Sequence, residues 1–201
     1  MNNLQKHYQQ LRQLKGRPEL LIHICCGVCS VYPLQYLRRY FRITIFFSNS
    51  NIYPYEEFEK RLDALKTYLE YLNDSEIKLI VDSYDNDSYD LKIREYRDEP
   101  EGGKRCKLCY ALRMEQTFSY ASKHSYPYCT TVMSISNRKN ADWINEIGET
   151  LQQKYPDTTY LYADFKKDDG ITRNDELNRQ LNLYHQNYCG CRYSIRETEN
   201  D

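Results

Sequence analysis

The stretch LLIHICCGVCS, residues 20–30, is an apolar run that ends in two adjacent cysteines, with a third cysteine close behind. A short apolar run of this kind is consistent with a buried strand. Cys25 and Cys26 then follow the strand, and Cys29 falls in the first turn of the next helix. Adjacent cysteines rarely pair with each other, because the ring that they close strains the disulfide dihedral angle. The stretch therefore predicts a strand that delivers thiols to the start of a helix.

Strand-like runs alternate with amphipathic segments along the rest of the chain. The strand candidates are residues 20–24, 43–47, 77–81, 128–133 and 159–163. In the clearest helical segment, apolar residues recur at helical spacing from Phe58 to Leu72, after Pro54. The other helical segments cover roughly residues 30–41, 107–124, 140–155 and 172–183. Regular alternation of this kind predicts an α/β fold with a mainly parallel sheet flanked by helices on both faces.

In such folds the functional residues collect beyond the carboxyl ends of the strands. That rule places Cys25, Cys26 and Cys29 at the active edge of the sheet, beside the amide groups of a helix start. A helix start lowers the pKa of a thiol and favours the thiolate, which is the form that binds metals. Gly27 would let the backbone turn closely around a bound group.

The composition limits the class of protein. The 201 residues contain no Pro/Gly/Ser-rich linker and no internal repeat, so we expect one domain. The N-terminus is polar and lacks the apolar core of a signal peptide, and no apolar run approaches the roughly 20 residues that span a membrane. We therefore expect a cytoplasmic protein. Thiols stay reduced in that compartment, so the eight cysteines indicate metal or redox chemistry rather than a disulfide framework.

A C-x-x-C pair, Cys106 and Cys109, follows a Gly-Gly loop and opens a helix. On its own the pair suits zinc, an iron–sulfur cluster or redox thiols. Together with Cys25 and Cys26 it supplies four thiolates from two loops at the same edge of the sheet, which suits zinc or an iron–sulfur cluster. The vicinal pair is an unusual geometry for zinc, so the pattern favours the cluster.

A C-x-C pair, Cys189 and Cys191, lies near the C-terminus. A disulfide between them would close a small strained ring, and strained disulfides are the labile, oxidising kind. Gly190 would relieve part of that strain. The pair is therefore a candidate redox-active centre, and the alternatives are two further metal ligands or two free thiols.

Three other residues have both a functional and a structural interpretation. Asp164 follows the last strand and would be either an oxygen ligand to a metal or the N-cap of the next turn, and its spacing favours the cap. Cys129 lies inside an apolar strand and is expected to be a buried structural thiol. His23 lies inside the first strand and is expected to be a core histidine rather than a ligand.

Basic residues lie around the thiol loops, whereas acidic residues concentrate elsewhere, as in DSYDNDSYD at 82–90. The net charge of −1 excludes a generally basic nucleic-acid coat but is compatible with a local positive surface that attracts RNA. A scattered, solvated set of charges explains the pattern equally well. The basic residues concerned are Lys104, Arg105, Lys107, Arg113, Arg138, Lys139, Lys166, Lys167, Arg192 and Arg196.

Six motifs occur in a specific order: LLIHICCGVCS (20–30), FFSNSNIYPYEEFEKRL (46–62), EPEGGKRCKLCYALR (99–113), TTVMSISNRKN (130–140), ADFKKDDG (163–170) and QNYCGCRYS (186–194). In this order and spacing they resemble the epoxyqueuosine reductases of the QueH type. The resemblance covers about residues 19–194, which it implies to be a single Rossmann-like catalytic domain. Residues 1–18 would be a polar N-terminal extension, and residues 195–201 a C-terminal tail.

The resemblance implies the last step of queuosine synthesis, in which the epoxide of epoxyqueuosine at the tRNA wobble position is reduced by two electrons. It implies a 4Fe–4S cluster, and the motif positions of its ligands are Cys25, Cys26, Cys106 and Cys109. It also implies a redox-active pair at Cys189 and Cys191. An additional iron is associated with the family, and the candidates to bind it are Cys29 and Asp164.

The implied partners are tRNA that carries epoxyqueuosine, bound through its anticodon loop, and an electron donor that the sequence does not identify. No residue pattern suggests a corrin or flavin site, so we expect a cobalamin-independent route. Two other functions would use the same cysteines. A zinc-stabilised RNA-binding module would use the four proposed cluster ligands without turnover, and a thiol–disulfide or sulfur-transfer enzyme acting on tRNA would use the C-x-C pair.

Overall fold

The computed structural model describes the backbone of residues 1–198 and the side chains of residues 1–195. The side chain of Arg196, one of the basic residues named above, lies outside the described residues. The strands are β1 (Glu19–His23), β2 (Arg42–Phe47), β3 (Lys78–Val81), β4 (Tyr128–Thr131) and β5 (Thr159–Tyr160). The α-helices are α1 (Asn3–Gln13), α2 (Gly27–Leu37), α3 (Tyr55–Leu72), α4 (Asn86–Ile93), α5 (Lys104–Lys123), α6 (Ala141–Lys154), α7 (Gly170–Leu181) and α8 (Arg192–Thr198).

The five strands form one parallel sheet in the order β3-β2-β1-β4-β5. β1 lies at the centre, where Leu20 pairs with Ile43 of β2 and with Tyr128 of β4. The chain runs outward from β1 in one direction through β2 and β3, and then returns to the other side of β1 for β4. The predicted α/β class is confirmed. The order of the strands reverses between β1 and β4, and ligands of such sheets bind in the crevice outside that point.

Alternate residues of β1 supply two different core layers. Leu20 and Ile22 belong to the layer under α2, α3 and α7, whereas Leu21 belongs to the layer under α5 and α6. All three side chains are fully buried. Alternation with a period of two is what the pleat of a strand dictates, and each buried leucine or isoleucine contributes about 1.5–3 kcal/mol. The first strand is therefore apolar throughout because it is covered on both faces.

Two strands are shorter than their apolar runs. After β4, the Thr131 hydroxyl accepts a hydrogen bond from the Met133 amide at 3.1 Å, and a short 3₁₀ turn (Val132–Ile135) replaces the end of the expected strand. After β5, side chains take over the bonds that a neighbouring strand would make. The amide of Tyr162 donates to Gln10 Oε1 at 3.0 Å, and that of Ala163 donates to Asn145 Oδ1 at 3.0 Å.

The N-terminal segment contains α1, which starts with a capping box formed by Asn2 and Gln5. Gln10 of α1 binds the main chain at both Tyr160 and Tyr162, so the helix lies against the end of edge strand β5. Edge strands present unpaired main-chain groups, and α1 satisfies some of them. Among the described residues, no helix is long and apolar enough to cross a membrane.

Candidate active site

β1 and α2 bring three thiols together at the centre of the sheet edge. Cys25 and Cys26 follow β1, and Cys29 lies in the first turn of α2, as predicted. Their sulfur atoms all lie within 4.8 Å of one another, and those of Cys25 and Cys26 are 3.9 Å apart. A Cβ at Gly27 would lie 2.6 Å from the carbonyl carbon of Ala64 in α3, so only glycine permits this close packing. The three thiols form a group that can hold a metal ion.

The three thiols differ in their pKa. The pKa of Cys25 is lowered, because the thiols of Cys26 and Cys29 donate to its thiolate. Burial raises the pKa of Cys26 to about 12. Hydrogen bonding to Cys25 and Cys26 raises that of Cys29. The expectation that the helix start lowers the thiol pKa is therefore wrong for Cys26, where the loss of hydration is the largest effect, and for Cys29, whose pKa is also raised. The pKa of Cys25 is lowered, but by its two neighbouring thiols rather than by the helix start.

The second pair of thiols lies in the first turns of α5, again as predicted. The Gly102 amide donates to Cys106 Sγ at 3.3 Å, which orients this thiol. Burial raises the pKa of Cys106 to about 12 and also raises that of Cys109. Both are outside the close group of three, among the residues whose side chains are described. Four ligands of a 4Fe–4S cluster bind four different irons, so such ligands do not need to lie in mutual contact.

The third pair lies in the loop between α7 and α8, where Cys189 and Cys191 are both free thiols. The buried Arg61 of α3 holds this loop, since its guanidinium donates to the carbonyl oxygens of Cys189 at 2.9 Å and Tyr188 at 3.2 Å. Gly190 adopts a φ of +128°, which residues with a side chain rarely adopt. Gly190 and Arg61 thus both contribute to the loop conformation, together with the Tyr53 amide, which donates to the Gly190 carbonyl oxygen at 2.8 Å.

Arg61 was missed as a site residue by sequence reasoning. Its Nε donates to Glu57 Oε1 at 2.7 Å, and the second oxygen of Glu57 accepts from the Tyr184 hydroxyl at 2.6 Å. The spacing of four residues between Glu57 and Arg61 is that of an ordinary surface ion pair on a helix. Here, however, the two side chains are only 6% and 2% exposed. Nothing in the local pattern distinguishes a buried pair from an exposed one.

Two buried cations connect the three thiol loops. Arg113 of α5 and Lys139, which follows β4, are 3% and 6% exposed. Within the described part of the chain, neither has a carboxylate within the 4.0 Å of an ion pair. Burial opposes the charge on each, yet nearby thiols raise the pKa of both side chains. Arg113 interacts electrostatically with Cys25, Cys109 and Cys189, and Lys139 with Cys25, Cys29 and Cys189.

The guanidinium of Arg113 is held in place by His23 of β1 and by Asn49, which follows β2. Its Nη2 donates to Asn49 Oδ1 at 2.7 Å and lies 3.3 Å from His23 Nε2. His23 Nε2 also lies 3.3 Å from the Ser48 carbonyl oxygen, and its Nδ1 lies 2.8 Å from the Thr131 hydroxyl. Burial lowers the pKa of His23 to about 3, so the ring is neutral. The expectation of a core histidine is confirmed, and the ring supports Arg113.

A cavity of about 300 Å³ opens beside the thiols. Of the seven cysteines at this edge, Cys29 and Cys189 line it, together with the side chains of Arg138 and Lys139. Gln186 also lines the cavity, and its amide nitrogen lies 3.3 Å from Cys26 Sγ. A substrate in this cavity would meet one thiol of α2, one thiol of the C-x-C loop and positive charge.

The remaining two candidates lie elsewhere. Asp164 lines a separate small cavity beside His7 and Tyr36, and its Oδ1 is buried without a hydrogen-bond partner. Its main-chain oxygen, rather than its carboxylate, accepts the bond from the Lys167 amide in the following turn. Cys129 is fully buried in β4 among the side chains under α5 and α6. The expectation that Cys129 is structural is confirmed.

The comparisons with known proteins agree with this arrangement. The family model described as "Epoxyqueuosine reductase QueH" matches residues 20–197. The chain belongs to the QueH family of epoxyqueuosine reductases. It is 35% identical over 183 residues to an epoxyqueuosine reductase QueH of Streptococcus pyogenes, which covers 90% of this chain and 71% of the relative. It is 37% identical over 186 residues to an epoxyqueuosine reductase QueH of Staphylococcus aureus, and the match covers 90% of this chain and 77% of that relative. The Thermotoga maritima QueH is 30% identical over 181 residues, with 89% and 91% covered.

The family expected from the motifs is therefore confirmed, and with it the class of enzyme and its place in queuosine biosynthesis. The buried thiols can also be tested as a metal site on their own chemistry. Cysteine thiolates bind zinc and iron–sulfur clusters, and a buried cation needs a compensating anion. Arg113 and Lys139 have thiols, rather than carboxylates, as their described neighbours of opposite charge. The residues present fit a thiolate-bound metal centre.

Proposed function

We propose that this chain reduces the epoxide of epoxyqueuosine at the tRNA wobble position to the cyclopentene of queuosine. The reaction consumes two electrons and two protons and releases the epoxide oxygen as water. The observation that carries the proposal is the convergence of three cysteine-bearing loops around Arg113 and Lys139 in a chain of this family, with Cys29 and Cys189 lining a cavity there. The tRNA substrate and the cytoplasmic location are part of the proposal.

In this proposal a 4Fe–4S cluster is held by Cys25, Cys26, Cys106 and Cys109. Arg113 and Lys139 would compensate the negative charge of these thiolates, which explains why two cations are buried at this edge without described carboxylate partners. When bound, the cluster would supply electrons one at a time. The Gly102 amide, which donates to Cys106 Sγ, would lower the basicity of that ligand.

Cys189 and Cys191 would act as the two-electron reservoir. Oxidation of the dithiol to a disulfide releases two electrons and two protons, which balances the conversion of the epoxide to an alkene and water. Cys189 lines the cavity, so the dithiol is in reach of a substrate there. An electron donor outside the chain would return the pair to the dithiol. No step in this sequence of events requires a corrin, and the route is proposed to be cobalamin-independent.

An additional iron on Cys29 and Asp164 has less support. Cys29 is close to Cys25 and Cys26 and lines the cavity, but Asp164 lines a different cavity. The buried, unpartnered oxygen of Asp164 is a free acceptor, which is compatible with a ligand. A metal that binds both residues would require a shift of the turn after β5 towards α2.

The test is anaerobic reconstitution with iron and sulfide, followed by treatment of tRNA that carries epoxyqueuosine with a chemical reductant. Mass spectrometry of the released nucleosides should show loss of one oxygen atom. A Cys25→Ser variant should lose the visible absorption of the cluster, while Cys129→Ser is the matched control that keeps it. Unchanged epoxyqueuosine with a fully reconstituted protein would refute the proposed reaction.

The same samples separate the two rival functions. A zinc-stabilised module would bind zinc without visible absorption and would leave the nucleoside unchanged. A purely thiol-based enzyme would remain active after Cys25→Ser and lose activity only after Cys189→Ser. The proposal requires that both variants lose activity and that Cys189→Ser keeps its metal.

A further inference from the structure

Two arginine side chains flank a pair of stacked tyrosine rings on a surface formed by α2, the turn after it and α7. The Arg173 guanidinium lies 5.9 Å from the ring centre of Tyr32, the rings of Tyr32 and Tyr36 are stacked at 5.9 Å, and the Arg39 guanidinium lies 5.1 Å from the ring of Tyr36. Arg38 lines the same cleft of about 420 Å³. We call this surface, defined by Tyr32, Tyr36, Arg38, Arg39 and Arg173, the arginine–tyrosine face.

The two outer arginines of this face have no carboxylate partner among the described residues. Arg39 and Arg173 are both exposed, whereas Arg38 is paired with Asp74 at 3.2 Å. The tyrosine rings restrict the motion of the two guanidinium groups, and the Nε of Arg39 also donates to the Tyr36 carbonyl oxygen at 3.2 Å. A fixed guanidinium edge matches the oxygens of a phosphate. The face therefore has two positive groups that are oriented and available.

The face and the candidate active site are lined by neighbouring residues of α7. Asn174 of α7 lines the thiol cavity, and the preceding residue, Arg173, lines the arginine–tyrosine face. Asn174 also binds the main chain of α2 at Val28 and at Tyr32, at 2.9 and 3.2 Å, so the two helices are held together there. From Cys29 to Leu37, the last residue of α2, the helix rises about 12 Å, and Arg39 lies two residues further along the chain.

The spacing and the charge identify the kind of partner. Successive phosphates of one strand in a duplex are about 3.4 Å apart along the axis, so about 12 Å corresponds to roughly three to four nucleotides. An RNA strand whose modified base lies in the thiol cavity would therefore place phosphates of preceding or following nucleotides over the arginine–tyrosine face. The single carboxylate that lines the cleft is Glu176, against three arginines. The charge of the cleft is complementary to RNA rather than to an acidic peptide, which would lack the periodic phosphates.

We propose that the arginine–tyrosine face binds the phosphates of the tRNA anticodon arm while the wobble base occupies the thiol cavity. The inference rests on the proposed function, because it takes tRNA as the substrate. Beyond the proposed function, it specifies the surface to which the rest of the anticodon arm binds. Arg39 and Arg173 contact phosphates and do not read bases, so the face sets affinity and orientation and does not set sequence preference.

The test compares two double variants of equal charge. Arg39→Gln/Arg173→Gln removes the oriented guanidiniums of the face. The control, Arg42→Gln/Arg94→Gln, removes two exposed arginines that lie elsewhere and are paired with Glu19 and Asp90. Binding of the anticodon-bearing tRNA is measured by fluorescence anisotropy as a function of salt concentration. Melting temperatures and metal content are compared to verify that both variants fold and load normally.

The face variant should bind tRNA roughly ten- to a hundredfold more weakly than wild type near 0.1 M salt, and the slope of log K against log salt should fall by about two. Activity at saturating tRNA should be unchanged, so KM rises and kcat does not. If the face variant binds like the control, the inference is wrong. If the wild type binds tRNA through this face but leaves epoxyqueuosine unreduced, the proposed function fails while the face stands.

Discussion

Replacement of Arg61 by methionine tests whether a single buried side chain holds the C-x-C loop in place. The guanidinium makes three hydrogen bonds, to Glu57 Oε1 and to the carbonyl oxygens of Tyr188 and Cys189. Methionine fills much of the same volume but donates no hydrogen bond. The variant Arg61→Met therefore leaves a buried carboxylate without its cation and two loop carbonyls without their donor.

The size of the effect follows from the burial of the pair. Breaking a buried ion pair by removal of one partner costs about 3–5 kcal/mol, and the Tyr184 hydroxyl is then the remaining described donor to Glu57. For a chain of 201 residues this corresponds to a fall in melting temperature of roughly 10 °C. The double variant Arg61→Met/Glu57→Gln removes both charges, so it should recover about half or more of that loss. Arg42→Met, which breaks the exposed pair with Glu19, should cost less than about 1 kcal/mol.

Two measurements are needed, because stability alone does not report on the loop. Equilibrium unfolding in urea gives the free energies of the three variants. Alkylation of the thiols under anaerobic conditions, followed by peptide mass spectrometry, gives the reactivity of each cysteine. The single variant Arg61→Met should increase alkylation of Cys189 and Cys191. The double variant should do the same, since neither variant can donate hydrogen bonds to the loop carbonyls. If the double variant alkylates like wild type, the loop is held by other contacts and the reasoning is wrong.

Three further expectations follow from individual residues. Gly190→Ala should be more destabilising than the control Gly16→Ala. Both glycines have a positive φ, but a Cβ at 190 would also lie within 3 Å of a guanidinium nitrogen of Arg61. Unfolding in GdmCl and thiol alkylation measure the difference. Burial lowers the pKa of His7, so the folded state binds its proton less readily than the unfolded state. Stability should therefore fall as the pH drops below about 6.5, by at most about 1.4 kcal/mol per pH unit, and the His7→Gln variant should show a smaller fall in urea unfolding at acid pH. Cys129→Ala should cost about 1–2 kcal/mol in unfolding free energy without changing the bound iron, whereas Cys26→Ala should lose iron by elemental analysis.

The central part of the fold was predictable because β1 is covered on both faces. A strand with two buried faces is an unbroken apolar run, and residues 20–24 show that run clearly. The ends of β4 and β5 were not predictable. After β4 the Met133 amide bonds to the Thr131 side chain, and after β5 the main-chain amides bond to side chains that lie far away in the sequence, Gln10 and Asn145. In both cases the apolar residues continue past the last residue of the strand.

The candidate site shows a similar division. Cysteines at strand ends and helix starts are visible as motifs, so the three thiol loops were predicted. Arg61 and Asn49 were not predicted as site residues, because their roles depend on burial and on partners in other elements. Asp164 was expected at the same edge, and it follows β5 as expected. The sequence predicts the strand before Asp164 but not the direction of its carboxylate. In the structure, Asp164 lines a cavity with His7 and Tyr36.

The charge balance at this edge connects the metal centre to the fold. Arg113 and Lys139 are buried beside thiols, and a buried charge without a counter-charge costs several kcal/mol. Burial raises the pKa of Cys26 and Cys106 to about 12, so at neutral pH these thiols by themselves supply little negative charge. A bound metal deprotonates its cysteine ligands, and the same event supplies the anions that the two cations need. The free energy of metal binding thereby stabilises the folded state. Loss of Arg113 should accordingly weaken metal retention, although Arg113 is not one of the proposed ligands, because the thiolates would then lose their compensating charge.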